Sequence, residues 1–287
     1  MTARTALVTD STSNIPRSLA EERHIYMAPL YVLWGEKTYR DGIDINEAEL
    51  FRKLRALGDD EDLPKTSQVS VQDFVEMFKQ AREAENADEV VCTVLSSGMS
   101  GTYQSAMQAK EQVDFPVHVV DAKFTSWALG LPVLSGADAR DQGASPAEVA
   151  EAIRRSVEHI AFFFTLENLH FLHRGGRIGN ASHLFGTLLN IKPVLTMTDG
   201  IVTSADKVRT RKRAVQRLLT LAEKKVGDHK AKRLAVMHGD AEEEARGVLE
   251  KALAKFQPQE HFFTYATSVL GVHVGPGAIG LIVEWLD

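Results

Sequence analysis

Three observations predict an α/β fold of two domains. Short apolar runs alternate with amphipathic helical patterns through roughly residue 140, as in a parallel sheet with crossover helices. Beyond that the pattern turns to aromatic strands, a hairpin signal and further crossovers, which predicts an α+β domain with a mixed or antiparallel sheet. A length of 287 residues suits two domains of ordinary size. The expected boundaries are 1–157 and 158–287, with an early hairpin insertion at about 27–45.

In chain order, Thr5–Thr9 reads as a buried strand and runs into Asp10-Ser11-Thr12-Ser13-Asn14. Pro16 then opens a helix, with Ser13 or Asn14 as cap. Met27–Tyr39 alternates around Gly35-Glu36, a hairpin. Asn46-x-x-Glu49 is a capping box for a helix with Leu50, Phe51, Leu54 and Leu57 on one face. Asp59–Asp62 reads as an exposed acidic loop. Ser70-x-x-Asp73 caps a helix whose apolar face is Val71, Phe74, Val75 and Phe78. Val90–Leu95 is a buried strand that breaks into Ser96-Ser97-Gly98-Met99-Ser100-Gly101 before the next helix. Val117–Val120 is another strand, followed by a Leu-rich helix. Ser145-Pro146-x-Glu148 starts the helix after that.

In the second half, His159–Phe164 is strand-like, and Thr165–His173 reads as a helix stopped by Gly175-Gly176. Ala181–Leu189 is helical. Pro193–Met197 and Ile201–Ser204 flank Asp199-Gly200, a hairpin turn. Thr210–Val226 is amphipathic, Leu234–Met237 a strand, and Asp240-x-x-Glu243 a cap. Phe262–Ala266 and Ile279–Trp285 are strands separated by a glycine-rich turn that carries His273.

Composition is that of a globular protein with net charge −6, which excludes generic nucleic-acid binding. The one cysteine, Cys92, sits in an apolar strand. It reads as a small core residue in a reducing, cytoplasmic setting. The start, MTARTALVTD, lacks the apolar stretch of a signal peptide, and no run is long enough to span a bilayer.

Three small-polar turns precede helices: Asp10–Asn14, Thr66–Ser70 and Ser96–Gly101. Each alone is ordinary helix capping. Together they offer hydroxyls and helix-start N–H groups suited to a carboxylate or phosphate, with Ser97 and Ser100 as donors and Gly98 and Gly101 admitting a ligand to the backbone. Gly175-Gly176-Arg177-Ile178-Gly179 reads either as a helix C-cap with a surface arginine or as an anion-pairing arginine on a tight turn. His273 lies among Gly271, Gly275 and Gly277, either packed structurally or donating to an anionic head group. His170-x-x-His173 has helical spacing, but nothing around it supports a metal, so none is expected. Residue 102 is Thr, so Gly98–Thr102 does not form Gly-x-Ser-x-Gly, and no nucleotide-binding glycine motif is present. Lys207–Arg233 is locally basic. It is either a solvated helix face or a surface for an anionic partner or bilayer.

The ordered set of motifs resembles the DegV family, whose members include the fatty-acid-binding subunit of bacterial fatty acid kinase. The matching residues are Thr9-Asp10-Ser11, Asp41-Gly42-Ile43-Asp44, Thr66-Ser67-Gln68, Ser96-Ser97-x-x-Ser100-Gly101-Thr102-Tyr103-Gln104-Ser105-Ala106, Gly175-Gly176-Arg177-Ile178, Lys192-Pro193, Lys207-Val208-Arg209-Thr210-Arg211 and His273-x-Gly275-Pro276-Gly277-Ala278. Val69 stands where the family usually has proline, and Ala122 where it usually has serine.

The resemblance implies a long-chain fatty acid lying in a tunnel between two α/β-type domains. Its carboxylate would be bonded by Thr66 and by Ser97 or Ser100, with His273 and Arg177 near the head group and Asp10, Ser11, Gly98 and Gly101 supporting the turns. It implies a substrate-presenting subunit with no cofactor and no chemistry of its own. The acid would be offered to a separate ATP-dependent kinase that makes the acyl phosphate, with Arg177 and Arg209 facing that kinase. The basic 207–233 segment, read from its charge alone, would touch anionic membrane transiently or make the protein a ligand-sensing or membrane-surface module. The alternative reading of the residues is a small-molecule enzyme, an esterase or phosphotransfer enzyme, using the Ser/His/Arg constellation.

Overall fold

A computed structural model describes residues 3–57, 62–184 and 191–286. The protein has a two-domain α/β fold whose chain divides into two compact units. One runs to Tyr31 and resumes over Ser67–Glu158. The other takes Val32–Thr66 and the described chain from His159 onward.

The first unit is built on a parallel sheet in the order β2-β1-β6-β7, made of β1 (Thr5–Asp10), β2 (Ile25–Ala28), β6 (Glu89–Val94) and β7 (Val117–Asp121). Every residue of β1 is buried, which is why the run reads as continuously apolar instead of alternating. Crossovers are supplied by α1 (Arg17–Glu22), α3 (Val71–Ala84) and α4 (Thr102–Lys110), and α5 (Trp127–Asp141) and α6 (Pro146–Glu158) follow the last strand. The Ser70/Asp73 capping box is present in both directions, and Phe74, Val75, Phe78 and Ala81 form the buried face of α3. Ser145 and Glu148 cap α6 reciprocally. All of Trp127–Ala137 is buried, so α5 is a core helix without a polar face.

The second unit carries a six-stranded sheet, β10-β9-β8-β13-β11-β12. Its strands are β8 (Ile160–Thr165), β9 (Lys192–Thr198), β10 (Ile201–Val208), β11 (Ala231–His238), β12 (Glu260–Tyr265) and β13 (Ile279–Trp285). Only the β11–β12 pair is parallel, so the sheet is mixed. Asp199 and Gly200 take φ of 50° and 83°, the double left-handed geometry of a tight hairpin turn. α8 (Arg211–Val226) and α9 (Glu242–Phe256) pack on this sheet through Ala214, Leu218, Ala222, Ala245, Val248 and Ala252. Gly35 (φ +60°) turns β3 (Tyr31–Trp34) into β4 (Lys37–Arg40), and with β5 (Lys65–Ser67) they form a three-stranded sheet. α2 (Glu47–Ala56) follows β4 and buries Leu50, Phe51 and Leu54.

Several local expectations are corrected. Asn14, at φ 63°, ends a 3-10 turn over Ser11–Ser13, so Pro16 and not Ser13 or Asn14 stands at the start of α1. Thr165 belongs to β8, where its hydroxyl donates to the Pro193 carbonyl at 2.9 Å. The helix expected from Thr165 therefore shrinks to α7 (His170–Arg174), begun where Asn168 accepts from the His170 N–H. Asp240 adopts φ 53° and gives its carboxylate to Arg55, so Ala241 starts α9. His273 lies on a short helix, α10 (Ser268–Val274), and the turn begins only at Gly275. Gly179–Leu184 is a 3-10 segment. The rest of the expected 181–189 helix, and most of the 59–62 acidic loop, fall outside the described residues.

Candidate functional site

The sequence-predicted residues form two groups, one on each unit. On the first unit they gather at the carboxyl ends of β1, β6 and β7, where open parallel sheets place ligands. Asp10 is fully buried. Its Oδ1 accepts from the Thr12 N–H at 2.9 Å and the Thr12 hydroxyl at 2.6 Å, and its Oδ2 accepts from the Leu95 N–H at 2.7 Å. One carboxylate thus ties the turn after β1 to the turn after β6. Burial without a cation pushes Asp10 up to about 6, and the three hydrogen bonds only partly oppose this. The Ser11 hydroxyl accepts from the Leu30 N–H at 3.1 Å.

The Ser96–Gly101 turn is wound on Ser96, whose carbonyl accepts from the N–H groups of Met99 and Ser100. Its hydroxyl accepts from the Gly98 N–H at 3.1 Å. Ser97 is exposed and donates its hydroxyl to Asp121 at 2.6 Å. Ser100 is half-buried, and its hydroxyl pairs with that of Thr102 at 2.9 Å. Gly101 lies directly against the Gln68 amide, which a Cβ there would have to push aside. Gln68 in turn donates to the Ser105 hydroxyl at 2.9 Å. Gln68 and Ser105 are therefore parts of the serine turn that the spacing pattern did not single out. Gln68 lies in the matched Thr66-Ser67-Gln68 stretch and Ser105 in the matched Ser96–Ala106 stretch, but neither match points to their contact.

On the second unit, Thr66 on β5 and His273 on α10 meet through Oγ1 and Nε2 at 2.8 Å. The His273 ring lies against Gly175, where a Cβ would strike Nδ1. Gly175 is thus a contact surface for the imidazole as well as the end of α7. Arg177 donates from Nη1 to the Gly175 carbonyl at 2.8 Å. Burial first, and the Arg177 charge second, lower His273 to about 4, so the ring is neutral near pH 7. Its Nδ1 is buried without a hydrogen-bond partner. An unpaired lone pair costs less than an unpaired N–H, which places the proton on Nε2. Nε2–H then donates to the Thr66 oxygen, and the Thr66 hydroxyl hydrogen is left to donate to an anion.

Asp41, from the early Asp-Gly-Ile-Asp motif, is buried and accepts from the Val269 N–H at 3.2 Å, which holds the start of the helix bearing His273. Sequence reading marked the motif but assigned it no task.

Arg209 is exposed between β10 and α8. Within the basic segment, Arg211 is bound to Glu244 and the Gly277 carbonyl, and Arg217 to Asp206. Arg233 is buried between Glu260 and Glu284. Lys207, Lys212, Arg213, Lys224, Lys225 and Lys230 are exposed. No cluster of three or more metal-ligating side chains occurs among the described residues, and no described helix is long and apolar enough to cross a membrane.

Comparison with known proteins converges on one family. The model of the DegV family of uncharacterised proteins matches residues 4–285. Protein DegV of Bacillus subtilis is 33% identical over 278 residues, which is 96% of this chain and 97% of that protein. A fatty-acid-binding DegV family protein of Thermus thermophilus superposes with a TM-score of 0.92 at 33% identity, covering 99% of this chain and 100% of that one. The crystal structure of DegV from Bacillus subtilis, a fatty acid binding protein, gives 0.89 at 31%, again covering 99% and 100%.

Proposed function

Because the chain belongs to the DegV family, we propose that it binds a long-chain fatty acid and presents the carboxylate to a separate ATP-dependent fatty acid kinase. The observation that carries the binding step is the Thr66–His273 pair. A neutral histidine turns a threonine hydroxyl outward as a donor, and the Arg177 cation stands beside them. Such a group attracts an anion without adding a titrating cation of its own at neutral pH. Thr66 and one of Ser97 and Ser100 bond the carboxylate, and His273 and Arg177 orient it. The solved relatives named as fatty acid binders support the same ligand class. Burial of an acyl tail supplies about 0.8 kcal/mol per methylene, so few polar contacts suffice for tight binding.

The presenting role rests on the chain's motifs. No nucleotide-binding glycine motif is present in the sequence, so ATP chemistry is assigned to the kinase. Exposed Arg209 and its basic neighbours supply a surface for that kinase and for brief contact with anionic membrane. The esterase or phosphotransfer reading has less support. It needs a histidine base at a serine, whereas Ser97 is bonded to Asp121, Ser100 to Thr102 and His273 to Thr66.

Organic extraction of the purified protein followed by lipid mass spectrometry tests the binding step. Stoichiometric fatty acid is expected, and a protein that is empty and takes up no added fatty acid overturns the proposal. For the kinase step, acyl phosphate should form from ATP and fatty acid only when this protein and a fatty acid kinase are both present.

A further inference from the structure

Asp10 is a buried carboxylate with no ion-pair partner among the described residues. In the first unit it is the one carboxylate among the described buried residues. Its contacts are three neutral donors: the Thr12 N–H, the Thr12 hydroxyl and the Leu95 N–H. The elements packed against β1 are β2, β6, α3 and α5, and none brings it an ion pair among the described residues. The titratable group that senses it is the Cys92 thiol on β6, which burial and then the Asp10 charge push up. The next carboxylate along the strand ends, Asp121 on β7, is turned to Ser97. Leu95, which Asp10 holds, immediately precedes the Ser96–Gly101 turn. Any anion received at that turn therefore arrives beside a negative charge that is already buried and unpaired, and like charges in one site do not both stay ionised.

We propose that Asp10 couples anion binding at the Ser96–Gly101 turn to uptake of a proton, so that the carboxylate is neutralised as the ligand's charge arrives. This rests on the fatty-acid reading above and adds a pH dependence to it. The hydrogen-bond geometry accommodates both states. In the ionised state Oδ1 accepts twice and Oδ2 once. In the protonated state a proton from solvent sits on Oδ1 and is donated to the Thr12 oxygen across the same 2.6 Å, the Thr12 hydroxyl hydrogen rotating away from Oδ1, while Oδ2 keeps accepting from Leu95 across 2.7 Å. The tie between the two turns survives and only the charge disappears. Burial has already pushed Asp10 up to about 6, so a modest further push brings the exchange to neutral pH. Asp10 is a positioning residue in this scheme and does not touch the ligand.

The experiment is titration calorimetry of the delipidated full-length protein with laurate, at several pH values and in buffers of different ionisation enthalpy, which counts protons exchanged per ligand. If the ligand charge raises the proton affinity of Asp10 about tenfold, roughly 0.4 proton is taken up per laurate at pH 7, and affinity rises about fivefold from pH 8 to pH 6. Asp10→Asn, which mimics the protonated acid, binds without proton uptake and with a flat pH profile. Thr12→Val removes a bond that favours the ionised form, and it moves the pH of maximal uptake upward while leaving the carboxylate in place. Laurate binding with no proton exchange in the wild type overturns the coupling and leaves the fatty-acid reading standing. Equal uptake in Asp10→Asn, or an uptake maximum unmoved by Thr12→Val, does the same. Absence of laurate binding overturns both.

Discussion

The two units solve the same electrostatic problem from opposite sides. In the first, a carboxylate with no cation is buried under three hydrogen bonds, and its proton affinity goes up. In the second, an imidazole is buried beside a guanidinium, and its proton affinity goes down. Both shifts have burial as the leading cause, and both push the group towards its neutral form. The difference lies in what charge remains nearby. Around His273 the permanent cation Arg177 persists and favours an anion, whereas around Asp10 the remaining charge is negative and opposes one. Within the second unit the residual charge beside the buried group is positive, and within the first it is negative.

The sharpest way to break this contrast is at Gly175. A methyl group there meets the His273 ring and must displace it, which separates Nε2 from Thr66. Gly175 sits at φ −73°, so alanine adds no left-handed backbone strain, and its tightest clash is with the His273 ring, ahead of the Phe171 carbonyl at 3.0 Å. Gly175→Ala is expected to weaken fatty acid binding on the order of 100-fold, since it takes away the oriented Thr66 donor and displaces the buried His273 ring beside Arg177. Fluorescence displacement of a bound acyl probe measures it. Unchanged affinity would show that His273 does not orient Thr66.

Next in size is the opposed response of the two units to acid. The native proton affinity of Asp10 lies above its ordinary 3.8, so its contribution to stability is fully present below pH 3.8 and is lost as pH rises through about 6. His273 lies below its ordinary 6.5, so its contribution is fully present above pH 6.5 and is lost as pH falls towards about 4. Each effect is about 3 kcal/mol at full extent. Between pH 6.5 and 4.5 the hydrogen-exchange protection factors, corrected for the intrinsic exchange rate at each pH, should therefore fall in α10 and rise in β1. His273→Gln should remove the first trend without touching the second. Parallel trends in the two elements would refute the opposed assignments.

Much of this was legible in the chain and part of it was not. β1, β6 and β7 announced themselves as apolar runs because a parallel sheet buries both faces of its strands. The Ser70/Asp73 and Ser145/Glu148 caps were readable because they are local hydrogen bonds between residues three apart. The roles of Asp41, Gln68 and Gly175 were not readable. Asp41 meets Val269 across 228 residues, and Gly175 matters for the ring of His273, far along the chain. Periodicity carries no information about such pairings. The misplaced caps at Ser13 and Asp240 have a related cause. Each pattern was locally valid, but Ser13 is spent inside a 3-10 turn and Asp240 on an arginine from another helix. His273 was read into a turn because its flanking glycines mimic one, although Thr267 and Asp41 both hold α10 from its start.

A smaller effect distinguishes the hydroxyls on the second unit. Thr66→Val keeps the shape but leaves His273 Nε2–H without an acceptor and the ligand without a donor. It should weaken binding roughly tenfold, while Thr66→Ser stays within about threefold of wild type. A loss in Thr66→Ser with Thr66→Val near wild type would assign the effect to the methyl group instead.

The smallest effect separates the two serines of the first unit. The Ser97 hydroxyl hydrogen is already committed to Asp121, a charge-assisted bond at 2.6 Å. To serve a ligand carboxylate, Ser97 would have to surrender that bond and face a second negative charge. Ser100 has a neutral partner in Thr102, and either hydroxyl of the pair can be the donor. One hydrogen can therefore turn outward while the other keeps the pair together. Ser100→Ala is accordingly expected to weaken fatty acid binding about fivefold and Ser97→Ala less than twofold, on the scale of one neutral hydrogen bond. The reverse order would mean that Asp121 gives up Ser97 when the ligand arrives. In that case Asp121→Asn, which eases the exchange, should strengthen binding instead of leaving it unchanged.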